Sequence, residues 1–353
     1  MTPSALCPLY GRAADAPNEG HSGLYYDKFF NKWSEHWSLK SKGDRSPKQE
    51  WIADIAKNKV GEVGLLSEYR RRVVQLVTAR GGQVWVYKTE ERLVTGTGRS
   101  HPVENGFVWH PTLGVPYLPG SSIKGLIGQD DRENVLGSRT RVGRVICLDA
   151  IPTCPVKLEA DIMTPHYSPW DEEDPPGDWR SPTPIPFLTV ARDTEFLFAG
   201  FPRTKYDSDD DVEMLGTWLK EALTDMGAGA KTAVGYGRMK FQEEVPWLKA
   251  LKREAELVEK ERLNQQRLAK MDPLDRQLEE IARESNDSKK QWKPWLKALE
   301  RGQWPDPTQA KLVAERIRAA MEADASWSPQ TRSKNPAKDY KHQDTLVVMK
   351  HLA

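Results

Sequence analysis

The chain has 353 residues, enough to bury a large core, and its 52 Lys and Arg stand against 51 Asp and Glu, a net charge of +1. That balance excludes a uniformly basic nucleic-acid binder, so any polyanion surface has to come from cations gathered on one face. Cys7, Cys147 and Cys154 are too few and too widely spaced for a disulfide framework or a zinc knuckle, and no apolar run approaches a bilayer-spanning length, so the expectation is a soluble, cytoplasmic protein with reduced thiols.

In chain order, residues 1–20 read as a flexible leader. Tyr25, Phe29, Phe30, Trp33 and Trp37 have the spacing of an amphipathic helix, a polar loop follows around residues 38–50, and Leu66, Tyr69, Val73, Leu76 and Val77 mark a second helix. The pattern changes at Gly81 and Gly82, where QVWVYKT opens a strand. A long loop with Gly96, Gly98, His101 and Gly106 leads to PGSSIKG and a short apolar helix. VICLDAIPTCPVKLEADIM reads as one bent strand or two short ones, broken at Pro152 and Pro155. After a Pro- and acid-rich excursion, IPFLTVARDTEFLFAGF gives two strands around Arg192 and Asp193, DVEMLGTWLKEALTDM a helix, and GAGAKTAVGYGRMKF a glycine-rich loop entering a last strand.

The order β, α, β, β, α, β predicts an α+β fold with a ferredoxin-like, RRM-type core carrying insertions. The expected division is 1–80 for a leader and helices packing on the core, 81–242 for the core, and 243–353 for a helical extension. That extension holds five of the thirteen tryptophans (Trp247, Trp292, Trp295, Trp304, Trp327), as anchors of polar helices or a docking surface. Within it, TQAKLVAERIRAAMEAD puts Leu312, Val313, Ile317 and Met321 on one side of a helix, and TLVVMKHL reads as strand.

Two motifs carry chemistry. In GAGAKTAVGYGRM, Gly227, Gly229, Gly235 and Gly237 leave backbone that a bulky ligand can approach, and Lys231 and Arg238 add charge. Ala230, not glycine, precedes Lys231, which excludes a phosphate-binding P-loop; Thr232 occupies the third glycine position of a dinucleotide fingerprint and excludes that. What remains is a loop whose amides, Lys231 and Thr232 meet RNA phosphates, against the plain alternative of a tight helix-to-strand turn. In GVPYLPGSSIKG, Ser121 or Ser122 is expected to cap a helix whose N-terminus, with Lys124, faces an anion; the plain alternative is capping beside a solvated lysine.

Together these motifs resemble the RAMP superfamily of CRISPR-associated proteins, whose members carry a PGSSxKG turn into the first helix and a glycine-rich loop before the last strand. LYYDKFFNKW, ENGFVWHPTLGVPYLPGSSIKG and DIMTPHYSPW further resemble the sixth-subunit family of the type III-B Cmr effector complex. The resemblance covers roughly residues 24–242. It implies a non-catalytic subunit that binds guide RNA (crRNA) toward its 3′ end together with target RNA, beside other RAMP and small subunits, without cofactor, metal or membrane. Carried over by position, Ser121, Ser122, Lys124, Gly227, Gly229, Lys231 and Thr232 line the RNA path, with Arg238, Arg99 and His101 as additions. The expected picture is a polyanion across the sheet, gripped where serine turn and glycine loop meet. Subunits that cut target RNA place an aspartate where this chain has Glu104, with Val103 and Asn105 beside it, which speaks against cleavage.

Two rivals stay open. One is an RNA-processing endonuclease of the same superfamily using scattered histidines (His21, His36, His101, His110, His166); the other is an interaction module built on the C-terminal helices. The run Asp171, Glu172, Glu173, Asp174 reads as solvated.

Overall fold

The computed structural model describes residues 20–34, 36–39, 46–128, 132–164, 184–204, 209–285, 290–331 and 336–352. The leader, the acidic run at 171–174 and His166 lie outside the described residues. Among the described residues three helices precede the sheet: α1 (Ser22–Lys28), α2 (Pro47–Ala56) and α3 (Val63–Ala79). The aromatic run does not continue α1 as its spacing predicts. The helix stops at Lys28, and Phe30 turns its ring onto Trp33 and Trp51, with centroids 5.4 and 5.3 Å away. Trp37 is left exposed at φ 54°. In α2 the Ser46 hydroxyl accepts from Gln49 N while the Gln49 side chain accepts from Ser46 N, a reciprocal cap within the stretch read as loop.

β1 (Gln83–Thr89) is the central strand. It is followed by α4 (Gly120–Ile127), the short α5 (Glu133–Leu136), β2 (Val145–Cys147), β3 (Ile151–Pro152), β4 (Leu158–Met163), β5 (Ile185–Val190), β6 (Glu195–Pro202), α6 (Asp209–Glu221) and β7 (Met239–Phe241). The main sheet runs β2-β6-β1-β7, antiparallel, with β3 also on β6; β1 pairs β6 from Gln83↔Gly200 to Lys88↔Glu195 and β7 from Tyr87↔Phe241 to Thr89↔Met239. This is the strand order of a ferredoxin-like core, so the mixed α+β expectation holds. β4 and β5 form a separate two-stranded sheet inserted between the core's second and third strands. The turn at Arg192 and Asp193 (φ 63°) therefore passes from one sheet to the other.

Both faces of the main sheet are covered. Trp85, Tyr87, Phe196 and Phe198 pack with Ile123 and Ile127 of α4 and Val212, Leu215 and Leu219 of α6. On the other face, Val84, Val86, Leu197 and Ala199 pack with Leu66, Val73, Val74 and Val77 of α3 and with Leu248 and Ala255 of α7 (Pro246–Lys270). The expectation that RNA lies across the sheet is thus corrected: the face an RRM leaves open is occupied by apolar helix surface, and burying that surface contributes roughly 25 cal/mol per Å².

The chain divides into two compact units, residues 1–259 and 260–353. The second contains the end of α7 with α8 (Pro273–Glu284), α9 (Trp292–Glu300), α10 (Pro307–Ala323) and α11 (Tyr340–Leu352). Its tryptophans are core: Trp292, Trp295 and Trp304 are buried, their indole N–H groups donating to Asp324 Oδ2 (2.9 Å), Leu278 O (2.5 Å) and Gln277 Oε1 (3.1 Å). On α10, Val313, Ile317 and Met321 are buried, while Leu312 faces solvent. TLVVMKHL is helix, not strand, because Thr345 and Val348 three positions apart supply the buried stripe of α11 and packing overrides local β propensity. Among the described residues no helix is long and apolar enough to cross a membrane.

Candidate nucleic-acid interface

After α6 a π-helical turn (Ala222–Met226) delivers the chain into the glycine loop. Gly227, Gly229, Gly235 and Gly237 all have positive φ. Two of them fix the loop's seat. A Cβ on Gly229 would stand 2.1 Å from Val94 O, and one on Gly237 1.9 Å from Ala228 O, so no side chain fits either place. In exchange the backbone bonds closely: Ala230 N donates to Val94 O at 2.7 Å, Gly237 N to Arg92 O at 2.9 Å, and Ala228 N to Gly237 O at 2.9 Å. The loop is clamped at both ends to the segment that follows β1.

Between those ends Lys231 is left-handed (φ 61°, ψ 28°) and opens a single 3-10 turn, Thr232–Val234. Alternation of left- and right-handed residues turns successive amides to one side and makes an anion-binding concavity. The N–H groups of Lys231, Thr232 and Ala233 meet no acceptor among the described residues. The Lys231 ammonium lies 5.5 Å from the Phe187 ring centroid on β5, and among the described residues neither Lys231 nor Arg238 has a carboxylate partner. Arg238 is exposed and lines, with Glu91, Arg92, Val234, Gly235 and Tyr236, an open hollow of about 360 Å³.

The sequence reading missed what holds this loop to the inserted sheet. Asp161 of β4 accepts from the Tyr236 hydroxyl and pairs with Arg92, whose Nη1 is 2.8 Å from Oδ2. Burial, then the hydrogen bond to and the charge of Asp161, push the Tyr236 phenol up to about 12. The signal available was a pair of acids, Glu159 and Asp161, at alternate positions of the strand LEADIM. The residues that meet Asp161 lie 69 positions before and 75 after, separations at which a single sequence carries no pairing information.

The serine turn differs from expectation. Pro119 takes the N-cap position of α4 and makes no side-chain cap; Ser121 and Ser122 are exposed inside the first turn. The first amide at the helix start is already taken, since Gly120 N donates to Asp149 Oδ1 at 2.7 Å, and an internal carboxylate stands beside the place where an external anion was expected. Lys124 is not simply solvated: its Nζ donates to Leu136 O (3.2 Å) and Val145 O (2.9 Å). Nor do the two motifs share a groove. Gly120 abuts Cys147 at the β2 edge and the glycine loop enters β7 at the other edge, three strand spacings or roughly 14 Å across the sheet.

Arg99 is exposed in a turn whose carbonyl accepts from Gly106 N. His101 is packed rather than presented: its ring stacks on Tyr26 at 4.1 Å and its Nε2 is 2.9 Å from Tyr26 O, while burial lowers its pKa against the opposing pull of that carbonyl and of Asp27. His110 is buried, its Nδ1 accepts from the Leu113 amide at 3.3 Å, and burial likewise lowers its pKa. Glu104 is exposed at φ 75° and ion-paired with Lys48.

Residues 86–240 match the model of the RAMP superfamily. Among curated proteins, the chain is similar to the CRISPR system Cmr subunit Cmr6 of Pyrococcus furiosus, 30% identical with 43% of this chain and 66% of the relative covered. It is likewise 30% identical to the Cmr6 subunit of Saccharolobus solfataricus, with 38% of this chain and 47% of that protein covered. Among solved structures it is similar to a chain of the type III-B Cmr-beta complex bound to cognate target RNA (23% identity, TM-score 0.45, 56% of this chain and 71% of that one). A second likeness is to Cmr6 from Pyrococcus furiosus (29% identity, TM-score 0.32, 46% and 97%).

Proposed function

We propose that this protein is a non-catalytic RNA-binding subunit of a type III-B CRISPR effector complex. It holds guide RNA toward its 3′ end, together with target RNA, beside other RAMP and small subunits. The observation that carries the reading is the glycine loop, where three successive amides without an acceptor among the described residues, Lys231 and Arg238 stand together on a backbone clamped at Arg92 and Val94. Amides and a cation of this kind suit phosphate oxygens and place a strand without reading its bases. The similarity to Cmr6 proteins supports the subunit assignment.

Two arrangements favour a holding role over cleavage. The carboxylate of Glu104 is committed to Lys48, and the rings of His101 and His110 are committed to backbone partners, with burial disfavouring the charged imidazole that general acid catalysis needs. The interaction-module alternative loses Trp292, Trp295 and Trp304 to the interior of the second unit, and Trp247 packs against the core of the first.

The reading is tested by measuring affinity for single-stranded RNA over a range of salt. Lys231→Ala and Arg238→Ala are each expected to weaken binding and to lower the slope of log K against log salt by about 0.7, the value for one phosphate contact on a single strand. Unchanged affinity and slope in both variants would overturn it.

A further inference from the structure

A second feature deepens the RNA reading and rests on it. Beside α4, on the β2 side of the core, lies an open hollow of about 500 Å³ whose wall includes Lys124, Gly125, Glu133, Arg141, Gly143 and Arg203. Its three cations are held entirely by neutral oxygens. Lys124 donates to Leu136 O and Val145 O, Arg203 Nε to Gly143 O at 2.7 Å, and Arg141 to Glu133 O at 3.3 Å and to the Asn134 amide oxygen. Among the described residues none of the three has a carboxylate within 4.0 Å, although neighbouring arginines do: Arg144 pairs with Asp211 at 2.7 Å and Arg132 with Glu221 at 3.2 Å.

The three cations converge on an opening with one wall carboxylate, Glu133, and among the described residues none of them forms an ion pair with it, while carbonyl dipoles fix their positions without neutralising them. Such a site is preorganised for an anion. The wall is also built for close approach. Gly125 has no atom within 4 Å of where a Cβ would stand, leaving the side of α4 bare, and Gly143 sits so close to Leu136 O (2.2 Å from a Cβ) that the loop carrying Arg141 is shut tight. A polyanion suits the hollow better than one small ion, because the cations come from three separate segments around an open rim.

We propose that this hollow is a second seat for the phosphate backbone of single-stranded RNA, held by Lys124, Arg141 and Arg203 and occupied by the same strand that lies on the glycine loop. The register locates the two seats at diagonal corners of the main sheet. Arg203 follows the Pro202↔Val145 pair beyond the start of β1, while Arg238 is level with Glu90 beyond its end. That is roughly 30 Å along the strands and two strand spacings, about 10 Å, across. At ~3.4 Å per stacked nucleotide the straight line is on the order of ten nucleotides, and a strand passing around the helices that cover the sheet needs more.

The experiment uses the full chain with fluorescent oligouridines of 4, 8 and 16 nucleotides at several salt concentrations. Arg141→Ala and Arg203→Ala are each expected to weaken the 16-mer several-fold and to lower its salt slope by ~0.7, with Arg141→Lys close to the parent. The 4-mer, too short to bridge, is expected to lose the gain that linkage gives the 16-mer. If the hollow variants bind the 16-mer as the parent does while Lys231→Ala weakens it, the second seat is refuted and the proposed function stands; if Lys231→Ala and Arg238→Ala also have no effect, the proposed function falls with it. Inorganic phosphate and poly-glutamate are run in parallel. Loss of phosphate binding alone, or poly-glutamate binding with the same sensitivity as RNA, would refute an RNA seat in favour of a small-ion or protein-docking site.

Discussion

Replacing Gly237 by alanine tests how firmly the glycine loop is clamped. At φ 80° an L-residue costs about 1–2 kcal/mol, and the new Cβ would stand 1.9 Å from Ala228 O, which neither backbone can accommodate in place. Relief requires moving the strand of the loop that makes Ala228 N to Gly237 O and Gly237 N to Arg92 O, two bonds worth about 1 kcal/mol each. The expected loss is about 3–4 kcal/mol. Gly235→Ala is the matched control: its φ is 97°, but nothing lies within 4 Å of the added carbon, so about 1–2 kcal/mol of backbone strain is all it meets. The difference of about 2 kcal/mol is more than tenfold in the opening equilibrium and is read from hydrogen exchange of β1 and β7 peptides in increasing urea. Equal exchange in the two variants would refute the clamp and the argument that these glycines hold the loop against Arg92 and Val94.

Two pH dependences follow from the buried groups. Because the Tyr236 phenol is held up at about 12 by burial and by Asp161, the folded protein keeps a proton there that the unfolded chain releases near 10. Its contribution to stability is present below pH 10 and is lost as pH rises from 10 to 12; Asp161→Asn is expected to bring the tyrosinate absorbance transition of Tyr236 down toward 10, and an unchanged transition would refute the pairing. His101 and His110 have pKa values lowered by burial, so the unfolded chain takes up protons first as pH falls. Stability is therefore full above ~6.5, the unfolded histidine value, and declines below it, and a His101→Gln variant is expected to show a shallower decline in urea midpoint between pH 6.5 and 5. An identical decline would place the acid sensitivity elsewhere.

The core was legible where one strand or helix faces one environment. The apolar residues of DVEMLGTWLKEALTDM and the spacing of Leu66, Val73 and Val77 each found their helix, because burial on a single face imprints a period, while QVWVYKT, buried on both faces, showed as a β-branched and aromatic run after Gly81 and Gly82. Which sheet a strand joins leaves no such imprint: VICLDAIPTCPVKLEADIM reads as one bent strand or two short ones, yet β2 and β3 pair with β6 while β4 pairs with β5. The glycine loop was readable as a backbone device from its residues alone, since positive φ at four glycines is a local requirement. The serine turn misled because the partner of its amide, Asp149, is 29 residues away. Lys124 is similarly defined by carbonyls 12 and 21 positions on, and the Arg92–Asp161–Tyr236 cluster spans both units of secondary structure that flank the loop. The tryptophans of the last hundred residues marked a hydrophobic core, and their number alone could not separate that from a docking face.

The most direct measurement is amide exchange at Lys231, Thr232 and Ala233 in the full chain, with and without saturating single-stranded RNA. These N–H groups have no acceptor among the described residues, so they should exchange quickly in the free protein and slow markedly on binding, while Ala230 and Gly237, already bonded to Val94 O and Arg92 O, change little. RNA binding that leaves the three amides as fast as before would contradict the claim that this loop holds the strand.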